Sequence, residues 1–238
     1  MRIREIAQTS MRHGYRKIRV VLNREGWKVG KDLMKRIYQE EGLTLRKRRK
    51  GRRRVAELRG ERSRSTGPNQ VWSMDFVADK LVDGARFRSL TVVDIHTREC
   101  LAIEPGQELT GGDVVMVLNR IKIQRVLPKM LYCDNGREFS SLAMDLWAYQ
   151  NGVRISFSRP RKPGDNAFIE SFNKTFRTEC LDAHWFTTLT DTQKIVETWR
   201  KEYNESRPHW ALGGKTPNEF AKGIAASHDV IALRTTEN

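Results

Sequence analysis

The sequence feature that most restricts the fold is a dense run of positive charge in the N-terminal quarter. Eight of the nine residues at positions 46–54 are Lys or Arg, and like charges packed this closely cannot share a hydrophobic core. The run therefore divides the 238-residue chain into a short N-terminal segment and a longer C-terminal segment. The longer segment has enough residues to bury a core of its own.

The net charge of the chain is concentrated at the same end. Residues 1–66 contain 22 of the 44 Lys and Arg residues and 7 of the 29 acidic residues, so they account for the whole formal charge of +15. The remaining residues contain 22 of each sign and are formally neutral. This distribution indicates a basic module joined to a balanced globular domain, and it favours a polyanionic partner.

Residues 1–45 are predicted to form a helix-turn-helix-like helical module. Apolar residues recur at helical spacing in two stretches, 15–22 and 33–38, and a break that contains two glycines separates them. We expect Asp32 to cap the second helix. The positive charge favours contact with DNA, and the alternative is a docking surface for other protein segments.

Residues 46–68 are predicted to form a basic linker, because polar residues follow the charge run and end in Ser-Thr-Gly-Pro. Phosphate binding is the favoured role of the run, and a segment that is merely solvated is the alternative. The candidate DNA-binding residues of this run are Arg46, Lys47, Arg48, Arg49, Lys50, Arg52, Arg53 and Arg54.

Residues 69–225 are predicted to form an α/β domain. Stretches rich in β-branched and aromatic residues predict three successive strands, at 71–77, 89–94 and 99–104. Helices at 113–125, 140–150 and 166–178 then alternate with strands at 130–133 and 153–157. This order implies a mixed sheet flanked by helices. Residues 226–238 are expected to form a C-terminal tail.

The composition also excludes several classes of protein. The three cysteines are widely spaced and lack a clustered set of His or Cys partners, so neither a disulfide framework nor a zinc site is indicated. No apolar run is long enough to span a membrane, and the N-terminus lacks an apolar signal core. We therefore expect a soluble cytoplasmic protein with reduced thiols and no membrane partner.

Three acidic residues lie where a metal site would need them. Asp75 is in the middle of a predicted strand, Asp134 follows the predicted strand 130–133, and Glu170 lies on a predicted helix after an interval of thirty-five residues. Carboxylates on two strands and one helix can converge, and such oxygen ligands suit Mg²⁺ or Mn²⁺. Taken singly, each has a more ordinary interpretation as a turn, capping or solvated residue.

Each of these carboxylates is embedded in a longer motif. The motifs are Trp72-Ser73-Met74-Asp75, Asp134-Asn135-Gly136-Arg137-Glu138-Phe139 and Pro163-Gly164-Asp165-Asn166-Ala167-Phe168-Ile169-Glu170-Ser171-Phe172. Further motifs are Arg177-Thr178-Glu179-Cys180-Leu181, Tyr203-Asn204, Arg207-Pro208-His209 and the stretch from Leu212 through Thr216-Pro217 to Phe220. In this order, over residues 70–222, the chain resembles the integrase core of the insertion sequence three family of transposases, which is related to retroviral integrases. His13-Gly14-Tyr15-Arg16 extends the resemblance into the N-terminal module.

The resemblance implies a ribonuclease H-like fold, an α/β architecture with a mixed five-stranded sheet flanked by helices. It implies that Asp75, Asp134 and Glu170 are the catalytic residues and the metal ligands. The expected activity is metal-dependent DNA cleavage followed by 3′-OH strand transfer, for which two Mg²⁺ or Mn²⁺ ions would serve. Departures from the family pattern are minor: Cys133 stands where Ser or Thr is usual, and Phe176-Arg177 where Leu-Lys is frequent.

The same resemblance implies the partners of the chain. These are double-stranded DNA, as element ends and as target, and further copies of the chain in a homo-oligomer that is at least a dimer. The second reading frame of such elements is often fused to an upstream one, so an upstream reading-frame product is an additional partner. The expected location is the bacterial cytoplasm, in association with the nucleoid.

Residues near the triad receive secondary assignments. Lys174 and Arg177 lie four and seven positions after Glu170 on one helix face, and we predict that they hold DNA phosphates; a solvated face is the alternative. Asn166 is predicted to cap that helix. For Glu138, turn or hydrogen-bonding duties are favoured over metal ligation.

Two other functions remain open from the sequence. A ribonuclease H-like nuclease could share the fold and the metal chemistry, but it would not account for the C-terminal Arg-Pro-His and Thr-Pro stretches. A catalytically decayed, DNA-binding regulator is the second alternative, and the intact set of three carboxylates argues against it.

Overall fold

The computed structural model describes residues 2–9, 13–43, 65–159 and 166–236, with side chains described as far as residue 226. The chain divides into two compact units. The first comprises Met1–Arg59 with Pro208–Gly214, and the second comprises Gly60–Arg207 with Lys215–Asn238.

Three short helices form the described N-terminal part of the first unit: α1 (Arg2–Thr9), α2 (Tyr15–Arg24) and α3 (Lys31–Glu40). Their apolar faces meet in a small core, which confirms the predicted helical periodicity. The predicted cap is wrong, because Gly30 occupies the N-cap of α3. Asp32 lies instead in the first turn, where its negative charge complements the helix dipole.

A five-stranded mixed sheet forms the centre of the second unit, as predicted. Its strands are β1 (Val71–Lys80), β2 (Arg86–Asp94), β3 (Cys100–Gly106), β4 (Met130–Cys133) and β5 (Arg154–Phe157). Their order across the sheet is β3-β2-β1-β4-β5. Strands β1, β2 and β3 pair antiparallel, whereas β4 runs parallel to both β1 and β5.

Helices cover both faces of this sheet. The helices of the second unit are α4 (Gly111–Gln124), α5 (Leu142–Asn151), α6 (Ala167–Glu179), α7 (Leu189–Glu205) and α8 (Pro217–Thr236). One apolar cluster joins α4 and α5 to one face, and a second cluster joins α6 and α7 to the other. Helix α8 runs across the predicted boundary between core and tail at residues 225 and 226, and the domain limits stay a prediction.

The alternation of side chains along β1 decides which residues each face receives. Trp72 and Met74 are fully buried in the cluster under α4 and α5, whereas Val77 belongs to the cluster under α6 and α7. Asp75, which has the same parity as Val77, therefore lies on the α6 face of the sheet. None of the helices in the described part of the chain has the length and hydrophobicity needed to cross a membrane.

Candidate active site

The strand register brings the first two carboxylates side by side. Strand β1 pairs with β4 so that Ser73 lies beside Tyr132. Continuing this parallel register by two residues places Asp134, the residue after β4, beside Asp75. The predicted convergence at adjacent strands therefore follows from the pairing of the central strands.

Asp75 is half-buried and held by hydrogen bonds at both carboxylate oxygens. Its Oδ1 accepts from the backbone N–H of Phe76 at 2.8 Å, and its Oδ2 accepts from Nδ2 of Asn173 at 2.8 Å. The hydroxyl of the buried Thr91 lies 3.0 Å from the carbonyl oxygen of Asp75 and 2.9 Å from Oδ1 of Asn173. Both the position and the rotamer of Asp75 are therefore fixed by its neighbours.

Burial and two other carboxylates oppose the ionisation of Asp75. Burial is the main cause that raises its pKa to about 6, and the negative charges of Asp134 and Glu170 raise the pKa further. The hydrogen bonds from Phe76 and Asn173 act in the opposite direction. Asp134 and Glu170 therefore each lie near enough to Asp75 to affect its ionisation.

The triad is open rather than gathered around one point. Among the described residues, no group of three or more His, Cys, Asp or Glu side chains is already close enough to hold a metal ion. None of the ion pairs that join described residues involves Asp75, Asp134 or Glu170. The side chains present fit a divalent cation, because carboxylates are the hard oxygen ligands that Mg²⁺ and Mn²⁺ prefer and no described ion pair already neutralises them.

Asp134 and Glu170 differ from Asp75 in being exposed. Asp134 begins a tight turn, in which its Oδ1 accepts from the backbone N–H of Gly136 at 2.9 Å. A Cβ at Gly136 would lie 3.0 Å from Oδ1 of Asp134 and 3.1 Å from Oε2 of Glu138. The turn therefore leaves little room for a side chain between these two carboxylates.

Helix α6 carries Glu170 and is attached to β1 on either side of it. Asn166, immediately before the helix, accepts a hydrogen bond from the hydroxyl of Ser73 and donates to the carbonyl oxygen of Met74 at 3.5 Å. Asn173, one turn beyond Glu170, donates to Asp75. Asn166 is the N-cap residue of α6, as predicted, but its side chain makes no capping bond and is used for this attachment instead.

Arg177 extends the same row of polar contacts toward the end of β1. Its guanidinium donates to the carbonyl oxygen of Ala78 and lies 3.6 Å from Asp79 and 4.0 Å from Asp182. These contacts attach α6 to the protein, so the predicted contact of Arg177 with DNA would have to compete with them. Lys174 is exposed and takes part in none of the ion pairs among the described residues.

The basic run proposed for DNA binding lies outside the described residues. Its members are Arg46, Lys47, Arg48, Arg49, Lys50, Arg52, Arg53 and Arg54. Their role stays a prediction, as does contact between DNA and Lys174 or Arg177.

Two supporting residues, Asn173 and Thr91, were missed by the sequence analysis. Asn173 could have been suspected, because it lies three positions after Glu170 and therefore shares its helix face. Thr91 gave no signal, since a threonine in a strand of β-branched residues looks like any other strand residue.

Three protein-family models match successive parts of the chain. A family described as integrase core domain matches residues 65–163, and a second family with the same description matches residues 151–217. An HTH-like domain matches residues 1–52.

Similar sequences occur in bacterial insertion elements. The 31.7 kDa protein of insertion element IS407 from Burkholderia multivorans is 43% identical over 231 residues, which cover 97% of this chain and 83% of that protein. The 39.2 kDa protein of IS476 from Xanthomonas euvesicatoria is 42% identical over 92% of this chain, which spans only 63% of that protein. InsK, a putative transposase for IS150 from Escherichia coli, is 25% identical over 88% of this chain and 77% of its own length.

Solved structures with the same fold come from retroviruses. The intasome of simian T-cell lymphotropic virus in complex with PP2A regulatory subunit B56 gamma has a TM-score of 0.60 and 15% identity, and the match covers 93% of this chain and 74% of that chain. The integrase catalytic core domain of HTLV-2 in complex with magnesium (dimeric form) has a TM-score of 0.53 and 14% identity, covering 66% of this chain and 98% of that one. At this identity the likeness shows that the fold is that of the integrase catalytic core, which is ribonuclease H-like.

Proposed function

The chain belongs to the insertion-element transposases that carry an integrase core domain, a group of DDE polynucleotidyl transferases, and we propose that Asp75, Asp134 and Glu170 are its catalytic carboxylates. The assignment is supported by the register of β1 with β4, which brings Asp134 beside Asp75. It is also supported by the hydrogen bonds of Asn166 and Asn173, which attach α6 and its Glu170 to β1. A half-buried carboxylate whose pKa is raised by burial and by two nearby carboxylates, as that of Asp75 is, is typical of functional sites. The proposed reaction is DNA strand cleavage followed by 3′-OH strand transfer.

The three carboxylates would hold Mg²⁺ or Mn²⁺, and we propose two ions per site. When bound, the ions would activate the attacking oxygen, neutralise charge on the leaving oxygen and align both. In the cleavage step, water attacks a phosphodiester at the element end, and the broken bond leaves a free 3′-OH. In the transfer step, that 3′-OH attacks a target phosphodiester, so that one P–O bond forms as another breaks.

The protein residues have separate duties in this scheme. Asn173 holds the Asp75 carboxylate in one orientation, so that its free lone pairs stay directed into the site. Glu170 is exposed on α6, one turn before Asn173, and is proposed as the third ligand. Lys174, one helical turn further on, offers an exposed ammonium group to a DNA phosphate.

DNA binding outside the site would come from the N-terminal part of the chain. We propose that the HTH-like module and the basic run at 46–54 supply most of the affinity, since their charge is suited to phosphate contacts. Joining two element ends to one target requires two active sites, so a homo-oligomer that is at least a dimer is proposed. An upstream reading-frame product would be an additional partner, and the nucleoid would be the place of action.

A joining reaction tests the site assignment. Asp75→Asn, Asp134→Asn and Glu170→Gln would each be combined with Mg²⁺, target DNA and an oligonucleotide that carries the element end with a 3′-OH. We expect joining to fall by about a thousandfold or more, since loss of a supporting partner of a metal ligand alone costs about ten- to a hundredfold. DNA affinity should be retained, and Asp145→Asn, an exposed acidic residue on α5, is the matched control.

The same assay separates the alternative functions. A variant of the triad that joins DNA as well as the wild type would contradict the assignment. A wild-type chain that binds DNA and neither cuts nor joins it would indicate the decayed regulator. Cleavage without joining would indicate a ribonuclease H-like nuclease.

A further inference from the structure

The loop that follows Asp134 is attached to the sheet through Arg88, a residue of β2 that none of the three carboxylates contacts. The guanidinium of Arg88 donates from Nη1 to Oε1 of Glu138 at 2.6 Å and from Nη2 to the carbonyl oxygen of Leu109 at 3.0 Å. The ion pair is partly buried, with side chains 34% and 19% exposed. A short, charge-assisted pair in this setting is stronger than an exposed surface pair.

Aromatic contacts reinforce this attachment beside Asp75. The guanidinium of Arg88 lies over the ring of Phe76, 4.7 Å from its centroid. Phe76 in turn stacks on Phe139 with 5.0 Å between ring centroids and 22° between ring planes. Phe139 is fully buried, and it follows Glu138 in the chain. Two consecutive loop residues are therefore held by a strand residue adjacent to Asp75 and by the arginine above it.

The start of α4 leaves this loop no room to shift toward it. A Cβ at Gly111 would lie 1.9 Å from Oγ of Ser141 and 2.8 Å from the carbonyl oxygen of Glu138. Ser141 donates to that same carbonyl oxygen at 2.8 Å and accepts from the N–H of Met144 at the start of α5. The loop from Asp134 to α5 is therefore packed directly against α4, and Arg88 joins it both to β2 and to Leu109, the residue before the N-cap of α4.

We propose that Arg88 and Glu138 are positioning residues whose ion pair fixes the Asp134 loop against β1 and so sets the spacing of Asp134 from Asp75. This inference rests on the proposed function, in which both carboxylates bind the metal. The pair acts on the site through the loop, because Arg88 forms its ion pair with Glu138, and no ion pair between described residues reaches Asp134 itself. An exposed carboxylate on an unattached turn would lose more conformational freedom on binding an ion, and the affinity would fall accordingly.

The experiment removes the pair and measures metal affinity directly. Arg88→Met keeps an unbranched chain over Phe76 and removes both donors, and Glu138→Met removes the acceptor; the two are also combined. Mn²⁺ affinity is measured by calorimetry without DNA, together with the urea midpoint of unfolding. Arg88→Lys, which keeps the charge but not the forked geometry, serves as the conservative variant.

A matched control pair lies at the other end of α4. Arg125 and Glu99 are 3.1 Å apart, with side chains 28% and 10% exposed, so they are buried to a similar degree. Arg125 follows the C-terminus of α4, whereas Leu109, which Arg88 contacts, precedes its N-terminus; the helix between them is about 20 Å long. Arg125→Met and Glu99→Met therefore cost stability in the same way without touching the Asp134 loop.

We expect Mn²⁺ affinity to fall about tenfold in each single variant of the Arg88–Glu138 pair, with no further loss in the double variant. Arg88→Lys should recover part of the loss, and the control variants should bind Mn²⁺ like the wild type. Unchanged Mn²⁺ affinity in Arg88→Met would overturn the inference, as would a loss confined to Glu138→Met, which would make Glu138 a ligand itself. A wild-type chain that binds no Mn²⁺ would overturn the proposed function, and the inference with it.

Discussion

Asp75 lies on β1 and Asp134 directly follows the neighbouring strand β4, yet different kinds of contact support the two residues. Asp75 is half-buried, and neutral groups fix it: the backbone N–H of Phe76 and the amide of Asn173. Asp134 is exposed on a turn, and the support of that turn is ionic, through Arg88 and Glu138. One carboxylate is held directly, and the other is held through the loop that carries it.

The two arrangements share one property: within the described part of the chain, no cationic side chain forms an ion pair with either carboxylate. An arginine paired with Asp75 would offset the negative charge that attracts a metal ion, whereas an amide orients the carboxylate and adds no opposing charge. On the loop, Arg88 forms its ion pair with Glu138 and not with Asp134. Without a cationic partner among the described residues, the ionised form of Asp75 is disfavoured by its burial and by two nearby carboxylates.

The raised pKa of Asp75 predicts that the stability of the metal-free protein depends on pH. The pKa of Asp75 rises from 3.8 to about 6 in the folded chain. The native state therefore binds more protons than the unfolded state between these values, and stability is lost as the pH rises through about 6. The full effect is about 3 kcal/mol. We expect Asp75→Asn to be more stable than the wild type above pH 6 in EDTA and to match it near pH 4.

Urea unfolding at several pH values measures this difference. Asp113→Asn is a control of opposite sign, because hydrogen bonds from the side chain and backbone of Thr110 hold the pKa of Asp113 below its usual range. A stability difference between Asp75→Asn and the wild type that stayed constant with pH would show that ionisation of Asp75 does not destabilise the fold.

Close packing on the loop side predicts a strong effect at Gly111. Gly111→Ala would force the new Cβ against Ser141 and the backbone of Glu138, so we expect a loss of about 2 kcal/mol and weaker Mn²⁺ binding. Gly112→Ala is the matched control, because the nearest atom to its Cβ is 3.5 Å away. Equal unfolding midpoints for the two variants would contradict the packing of α4 against the loop.

The neutral support of Asp75 predicts a smaller loss of stability and a clear loss of activity. Asn173→Leu removes the donor to Asp75 and leaves Thr91 without its amide partner, so we expect about 1 kcal/mol of destabilisation and a ten- to a hundredfold slower joining reaction. Ser171→Ala, on the exposed side of α6, is the control. Joining at the wild-type rate in Asn173→Leu would show that Asp75 keeps its orientation without the amide.

The smallest effects separate Lys174 from Arg177, which the sequence had grouped together. Arg177→Ala removes contacts with Ala78 and Asp79 and should cost about 1 kcal/mol of stability. Lys174→Ala should leave stability within about 0.5 kcal/mol and weaken DNA binding with a reduced salt dependence. DNA titrations at two salt concentrations, with urea unfolding of both variants, measure the contrast. A loss of stability in Lys174→Ala together with a loss of DNA affinity in Arg177→Ala would contradict these assignments.

Much of the architecture could be read from local patterns. The charge boundary near residue 66, the order of strands and helices, and the carboxylates at a strand, a strand end and a helix all follow from residue type and period. The flanking motifs then pointed to the integrase core. Strand limits differed by a few residues, because β1 continues to Lys80 into the hairpin with β2, beyond the apolar stretch that predicted it.

The side-chain contacts that support the carboxylates were decided by the tertiary structure. Arg88 and Glu138 are 50 positions apart and Asp75 and Asn173 are 98 apart, so no local period relates either pair. Arg177 and Lys174 look alike in sequence, yet only the packing of α6 on β1 shows that Arg177 is occupied. Sequence alone determined which residues carry charge and which strand or helix presents them. The tertiary structure decided which of these charged side chains contact one another. Those contacts depend on the register of β1 with β4 and on the packing of α6 on β1, and both arise between segments that are distant in sequence.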